Sequence, residues 1–272
     1  MLFPPFRRGR VKNGLAGNRT ARFRSVLLAA ARIEDYHVAL AEAGLDTAPA
    51  IRKVRDVEET LRRISLTPFA RYARMFGGKL PAPSLRKPER GETRTAIVLS
   101  YRDAKQGLAN LQSVAAMPAI YSPVGAAAAT HDLYRLAKAI QAAPKPEWLI
   151  EHAVVAFSGV EAGILTQDHR NLLWETYEAP LFEQFLGVNG EVVAAECEIH
   201  AGLHVRTESA VIEIVNDELV LTSLTDEVCP TLRVRTGLSA TMESAPCECG
   251  KAEPRLTDLR DLVAPEAVTA VA

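Results

Sequence analysis

Polar and apolar positions along the chain change period several times, and each change predicts a different element. From Ser25 to Gly44, Val26, Ala29, Ala30, Ile33, His37, Leu40 and Ala41 recur at spacings of three and four, which predicts a helix opened by Ser25 and closed by Gly44. A second helix is expected over Val57–Ile64, and a third from Thr67-Pro68, where proline suits a first turn. Gly77, Gly78, Pro81, Pro83, Pro88 and Gly91 then break any period and mark 77–94 as a linker. Beyond it, short apolar runs alternate with amphipathic stretches. Strands are expected at Ala96–Leu99, Pro118–Tyr121, His152–Phe157 and Leu181–Phe185, and helices at Asp103–Ala116, Thr130–Ala142 and Thr166–Tyr177. Strands separated by single helices imply right-handed crossovers and a mainly parallel sheet. From Gly202 to Met242 the pattern shortens to β-runs divided by turns at Glu208, Asn216-Asp217 and Thr225-Asp226, as in an antiparallel β-subdomain.

The fold class is therefore α/β: a helical N-terminal segment, a mainly parallel sheet with crossover helices, then an antiparallel β-subdomain. The expected division is 1–24 a flexible basic arm, 25–76 a helical segment, 77–94 the linker, 95–255 the sheet-bearing domain and 256–272 a tail. The arm stands out because Arg7, Arg8, Arg10, Lys12, Arg19, Arg22 and Arg24 precede the first acid, Glu34. Over all 272 residues the net charge is only −1, with 48% apolar and 24% charged residues. The chain can thus build a core, and no global charge calls for nucleic acid. No run of eighteen apolar residues suggests a membrane span.

All four cysteines fall between Pro180 and Gly250, with His200 and His204. Cys197 lies before a Gly202 turn and His204 after it, and Cys247 and Cys249 share a turn bounded by Pro246 and Gly250. Three thiolates and an imidazole make a tetrahedral set that suits zinc. His200 competes with His204 for the imidazole place, and ordinary buried thiols remain the other reading of the same residues. Clustered cysteines of this kind fit a cytoplasmic protein with a metal site better than a disulfide framework.

Several segments together carry a resemblance. They are Glu196-Cys197 with Gly202-Leu203-His204-Val205, Glu218-Leu219-Val220-Leu221-Thr222-Ser223-Leu224-Thr225, Arg233-Val234-Arg235-Thr236-Gly237, and Cys247-Glu248-Cys249-Gly250 running on to Pro254-Arg255. In this order they resemble the late adenylation domain of phenylacetate–CoA ligase-like enzymes, a branch of the adenylate-forming superfamily. The resemblance spans roughly Pro118–Arg255. It implies a structural zinc on Cys197, His204, Cys247 and Cys249, and it selects His204 because the motif carries its histidine directly after Gly-Leu. It further implies that Ser158, Gly159 and Glu161, in an S-G-x-E turn, line an adenosine site, with Phe185 of Glu183-Gln184-Phe185-Leu186-Gly187 near the adenine.

The departures from the family pattern bear on activity. No Ser/Thr/Gly-rich phosphate loop is present in the sequence. Asn189 and a displaced Glu191 stand where a magnesium acid is expected, and Leu238 follows Thr236-Gly237 where an Asp should hold the ribose hydroxyls. The C-terminal domain with its catalytic lysine is expected to be missing. ATP or AMP binding is accordingly expected to be weak or absent, and the protein to be a zinc-stabilised, non-catalytic binding or scaffold partner. Its expected partner is a full-length ligase, another protein or a second copy, not nucleic acid or membrane. The alternative is an acyl- or aryl-CoA ligase completed by a partner chain. His131-Asp132 and Asp168-His169 sit at helix starts, where Asp serves the cap and the dipole.

Overall fold

The computed structural model describes residues 15–76, 97–98, 125–142, 150 and 153–262. The first fourteen residues, the linker, the expected helix Asp103–Ala116 and the expected strand Pro118–Tyr121 lie outside them. Five helices open the described chain: α1 (Leu15–Ala30), α2 (Glu34–Glu42), α3 (Ala48–Arg52), α4 (Val57–Arg63) and α5 (Phe69–Phe76). The single helix expected from Ser25 to Gly44 is two, broken at residues 31–33, because Ile33 takes an extended backbone and becomes the N-cap of α2. Asp56 and Thr47 cap α4 and α3, each accepting a backbone amide three residues on.

The helix α1 also revises the basic arm, whose last ten residues are helical. Phe23 is fully buried, and the arginines around it are used. Arg19 donates to the carbonyl of Thr207 and pairs with Glu58 at 2.6 Å, Arg22 donates to the carbonyl of Glu208, and Arg24 to that of Val54. These arginines dock a helix onto carbonyls far away in sequence, which no local pattern reveals.

Then come β1 (Ile97–Val98), β2 (Gly125–Ala129), α6 (Thr130–Gln141), β3 (Ala153–Ser158), α7 (Gln167–Tyr177) and β4 (Leu181–Leu186). β5 (Val192–Glu196) and β6 (Leu203–Val205) follow, then β7 (Ala210–Val215), β8 (Glu218–Ser223), β9 (Val234–Arg235), β10 (Leu238–Glu243) and β11 (Arg255–Asp261). One sheet has eight strands in the order β1-β2-β3-β4-β5-β6-β11-β10, and β7-β8-β9 form a second of three. β1 to β4 pair in parallel through crossovers, and from β4 onward every pairing is antiparallel. The antiparallel region therefore starts at β5, earlier than expected, and only its middle leaves the main sheet. Residues assigned to a tail from 256 onward begin inside β11, where Leu256 is buried in the main core.

α6 and α7 pack on the parallel strands through Leu133, Leu136, Ile140, Leu173 and Tyr177. A larger core joins the N-terminal helices to β5, β6, the three-stranded sheet and β11, through Phe23, Tyr36, Ile51, Tyr72, Phe185, Leu221 and Leu256. At the boundary between helices and strands sits Arg233, nearly buried and in the left-handed backbone region (φ 44). Its guanidinium makes a paired contact with Glu213, at 3.0 and 3.1 Å, and donates to the carbonyl of Ile64 at 2.7 Å. Its own N–H donates to Thr222 Oγ1, and its carbonyl accepts from Thr67 N–H. Two buried tyrosines lock the same seam, Tyr36 donating to the carbonyl of Pro230 and Tyr72 to that of Cys229.

Removing a charge from such a buried pair leaves its partner uncompensated. Arg233→Ala should lower stability by about 3–5 kcal/mol in urea denaturation. Arg71→Ala, which opens only the exposed pair with Asp35, should cost about 1 kcal/mol or less. Equal effects of the two substitutions would show that Arg233 is not the clamp.

Candidate metal centre

Three separate pieces of backbone bring the thiols and the imidazole together. Cys197 follows the end of β5, His204 is the middle residue of β6, and Cys247 and Cys249 lie in the loop between β10 and β11. β6 pairs with β5 on one side and β11 on the other, His204 facing Ala195 and Arg255. The β10–β11 loop is a tight turn in which Gly250 N–H donates to Cys247 O, Cys247 N–H donates to Lys251 O, and Gly250 takes a φ of +84. Pairing of β11 with β6 therefore delivers the Cys-x-Cys turn to His204.

The ligand atoms of Cys197, His204, Cys247 and Cys249 all lie within 4.8 Å of one another, and the set can hold a metal ion. Cys197 Sγ is 3.9 Å from Cys247 Sγ, and Cys249 Sγ is 3.4 Å from His204 Nε2. All four cysteines are free thiols. Burial holds His204 below the ordinary histidine value, and a hydrogen bond from the Cys249 backbone draws the Cys247 thiol down. Both shifts favour the deprotonated forms that bind metals, whereas burial pushes the Cys249 thiol up. His200 is outside the cluster. It is half-exposed, stacked on Phe182 with ring centroids 5.1 Å apart, and its Nδ1 lies 3.4 Å from Glu196. Cys229 is buried beneath the helices, with its carbonyl accepting from Tyr72.

Among the described residues, those expected to line an adenosine site do not converge on a cavity of that size. Ser158 ends β3 fully buried, and Gly159 begins a closed turn in which its N–H donates to Gly163 O. The turn packs so close to β4 that a Cβ on Gly159 would stand 2.9 Å from Leu186 O. Glu161 is exposed on the turn, and Phe185 is fully buried in the main core. Between the turn and residues 186–188 the cavity is about 10 Å³, room for roughly one water. Asn189 is buried and donates to Asp226, and Glu191 accepts from Ser223 and Thr225 hydroxyls. Leu238 is buried, and Gly237 N–H donates to Glu218 instead of meeting a following acid.

Sequence reasoning missed one set of functional-looking groups. Arg170 on α7 bridges Glu183 of β4 at 2.7 Å and Glu196 of β5 at 2.8 Å, all on one face of the sheet. Glu196 was in view as the neighbour of Cys197, but a pairing 26 residues away leaves no local trace.

No family model matches the chain, and no curated protein matches its sequence. Solved structures do. The chain aligns with 2-hydroxyisobutyryl-CoA ligase in complex with 2-HIB-AMP and CoA in the thioesterification state at a TM-score of 0.64 and 12% identity, over 96% of this chain and 72% of that one. The same ligase in the postadenylation state with R3-HIB-AMP gives 0.63 and 12% over the same shares. Its open conformation gives 0.60 and 13% over 88% and 67%. The fold is that of an acyl-CoA ligase. At this identity the likeness is one of architecture, and it agrees with the resemblance to adenylate-forming CoA ligases carried by the segments from Glu196 to Arg255.

Gly202 gives this arrangement its most exacting contact. Its φ is +103, and a Cβ there would stand 2.8 Å from Leu256 O and 2.9 Å from Thr257 Cγ2. Gly202→Ala must push β6 from β11, beside His204. It should cost about 1–3 kcal/mol in chemical denaturation, and an unchanged midpoint would show that the strands tolerate the methyl group.

Proposed function

We propose that this protein is a zinc-stabilised member of the ligase fold that has given up carboxylate activation and acts as a binding or scaffold protein, pairing with a full-length ligase or a similar partner. The supporting observation is that ordinary core and turn contacts occupy the places where the family resemblance puts nucleotide contacts. Phe185 is sealed into the core, Leu238 is buried where an acid should meet ribose, and the cavity by Gly159 is water-sized. Activation of a carboxylate depends on electrostatic clamping of phosphates, and losing one such group costs on the order of 10²-fold in rate. The chain alone should therefore give no ATP–pyrophosphate exchange with phenylacetate, other aryl acids or fatty acids. Robust exchange overturns this reading.

Zinc is the metal the site suits best. Tetrahedral geometry with Zn–S near 2.3 Å and Zn–N near 2.05 Å requires S···S edges of about 3.8 Å and S···N edges of about 3.5 Å. Two of the six separations, 3.9 Å and 3.4 Å, match those edges, and all six lie within 4.8 Å. Four protein ligands leave no position for water, so the role is structural. Free thiols at such a site fit a reducing, cytoplasmic setting. Protein purified without a metal-affinity tag should carry about one equivalent of zinc, and chelation should lower the melting temperature by about 5 °C or more. Cys249→Ser should lose the metal and Cys229→Ser keep it. Zinc below about a tenth of an equivalent, with stability indifferent to chelator, would make these thiols core residues only.

A second reading rests on the Ser158-Gly159 turn with Glu161 at the end of β3, where the family resemblance puts an S-G-x-E turn. In it, the chain is part of an acyl- or aryl-CoA ligase whose phosphate loop and lysine come from a partner chain. Exchange activity that appears only on adding such a partner would select it.

A further inference from the structure

A cleft of about 820 Å³ opens beside α7, between its first turn and strands β4, β5, β6 and β11. This is the size of a small-molecule site and far larger than the cavity by Gly159. Its charged lining is uneven. Among the described residues, Arg170 and Arg255 face four carboxyl groups, Glu183, Glu196, Glu243 and Asp258, so acids outnumber fixed cations four to two. Both arginines are already engaged inside the cleft, Arg170 by Glu183 and Glu196 and Arg255 by Glu243. Neither is left to attract an anion.

Glu183 is the group that points to a ligand. It is 6% exposed and lines the cleft; Oε2 pairs with Arg170, and Oε1 makes no well-formed hydrogen bond, with the Ser158 hydroxyl beside the carboxyl as its nearest polar neighbour on β3. Burial pushes its carboxyl above the ordinary range, while the Ser158 hydroxyl and the Arg170 guanidinium draw it down. Apolar walls come from Leu165, Leu203, Leu256 and Leu259. At the rim, His200 holds the left-handed region (φ 54), stacked on Phe182. Aromatic faces and unbalanced carboxylates both favour a cation over an anion.

We propose that this cleft binds a small organic cation, an ammonium group carried on an apolar or aromatic body. The ammonium lies toward Glu183 and Asp258, and the body rests on the leucines and the aromatic rim. The proposal is independent of the metal centre and of any nucleotide chemistry. It also inverts the charge preference of an enzyme acting on carboxylic acids.

2-Phenylethylamine and phenylacetate, nearly equal in shape and opposite in charge, test it by titration calorimetry on the full chain. The amine should bind saturably with a Kd of about 1 mM or tighter, and the acid should not. Glu183→Gln should weaken the amine about tenfold or more, and Asp258→Asn, at an exposed position, about two- to fivefold. If Glu183→Gln does not fold, the amine–acid comparison and Asp258→Asn still decide. Equal binding of acid and amine, absence of saturation by the amine, or amine affinity unchanged in the folded variants overturns the proposal.

Discussion

The buried guanidinium of Arg233 is the constraint on which the two halves of the molecule rest. The five helices carry an apolar face that no helix among them covers, and the three-stranded sheet carries another. Joining them buries Phe23, Tyr36, Tyr72 and Leu221 in one core. Apolar burial is strong but non-directional, and it would tolerate many relative positions. Arg233 removes that freedom, because its five polar contacts to Glu213, Ile64, Thr222 and Thr67 are met together in one register only. A charge placed there adds little net stability against an apolar replacement, but it penalises wrong dockings heavily. Thr67 then extends the three-stranded sheet with a bridge to Val234, so the helical segment ends as part of the sheet it covers.

Much of this was legible in the residues, for identifiable reasons. The crossover helices were visible because they repeat apolar positions on one side and begin at Thr130 and Thr166. The metal ligands were visible because cysteine and histidine are rare and sit on glycine-bounded turns. The break at residues 31–33 was hidden, since apolar spacing runs through it and only backbone conformation at Ile33 divides the helices. β5 was missed because Val192–Glu196 mixes small and charged residues, and its pairing with β4 shifts register between Phe185 and Leu186. Phe185 was misjudged in environment, not in element: its strand is where it was expected, but its ring points into the core. The direction of a side chain at a strand end depends on what covers the sheet, and that is a long-range property.

The molecule separates two things that a fold can retain. Backbone architecture survives at 12% identity because it needs only apolar faces, crossovers and turns in the right order. Nucleotide chemistry needs particular polar groups at particular strand ends, which the architecture alone does not supply. Fold and activity are thus argued from different atoms. The Cys197, His204, Cys247 and Cys249 set, which could hold a metal ion and links β5, β6 and the β10–β11 loop, bears on the first of these.

The seam between helices and strands also has a consequence on the ribosome. Tyr72 finds its partner at Cys229, 157 positions further along the chain, and Tyr36 its partner at Pro230, 194 positions further. At elongation rates of about 5–20 residues per second, the helices wait roughly 10–40 s before the strands that cover them are made. Throughout that interval the nascent helical segment displays Phe23, Leu27, Tyr36 and Tyr72 to whatever surrounds the exit tunnel. That delay makes the yield of folded protein sensitive to translation speed and chaperone supply as well as to final stability.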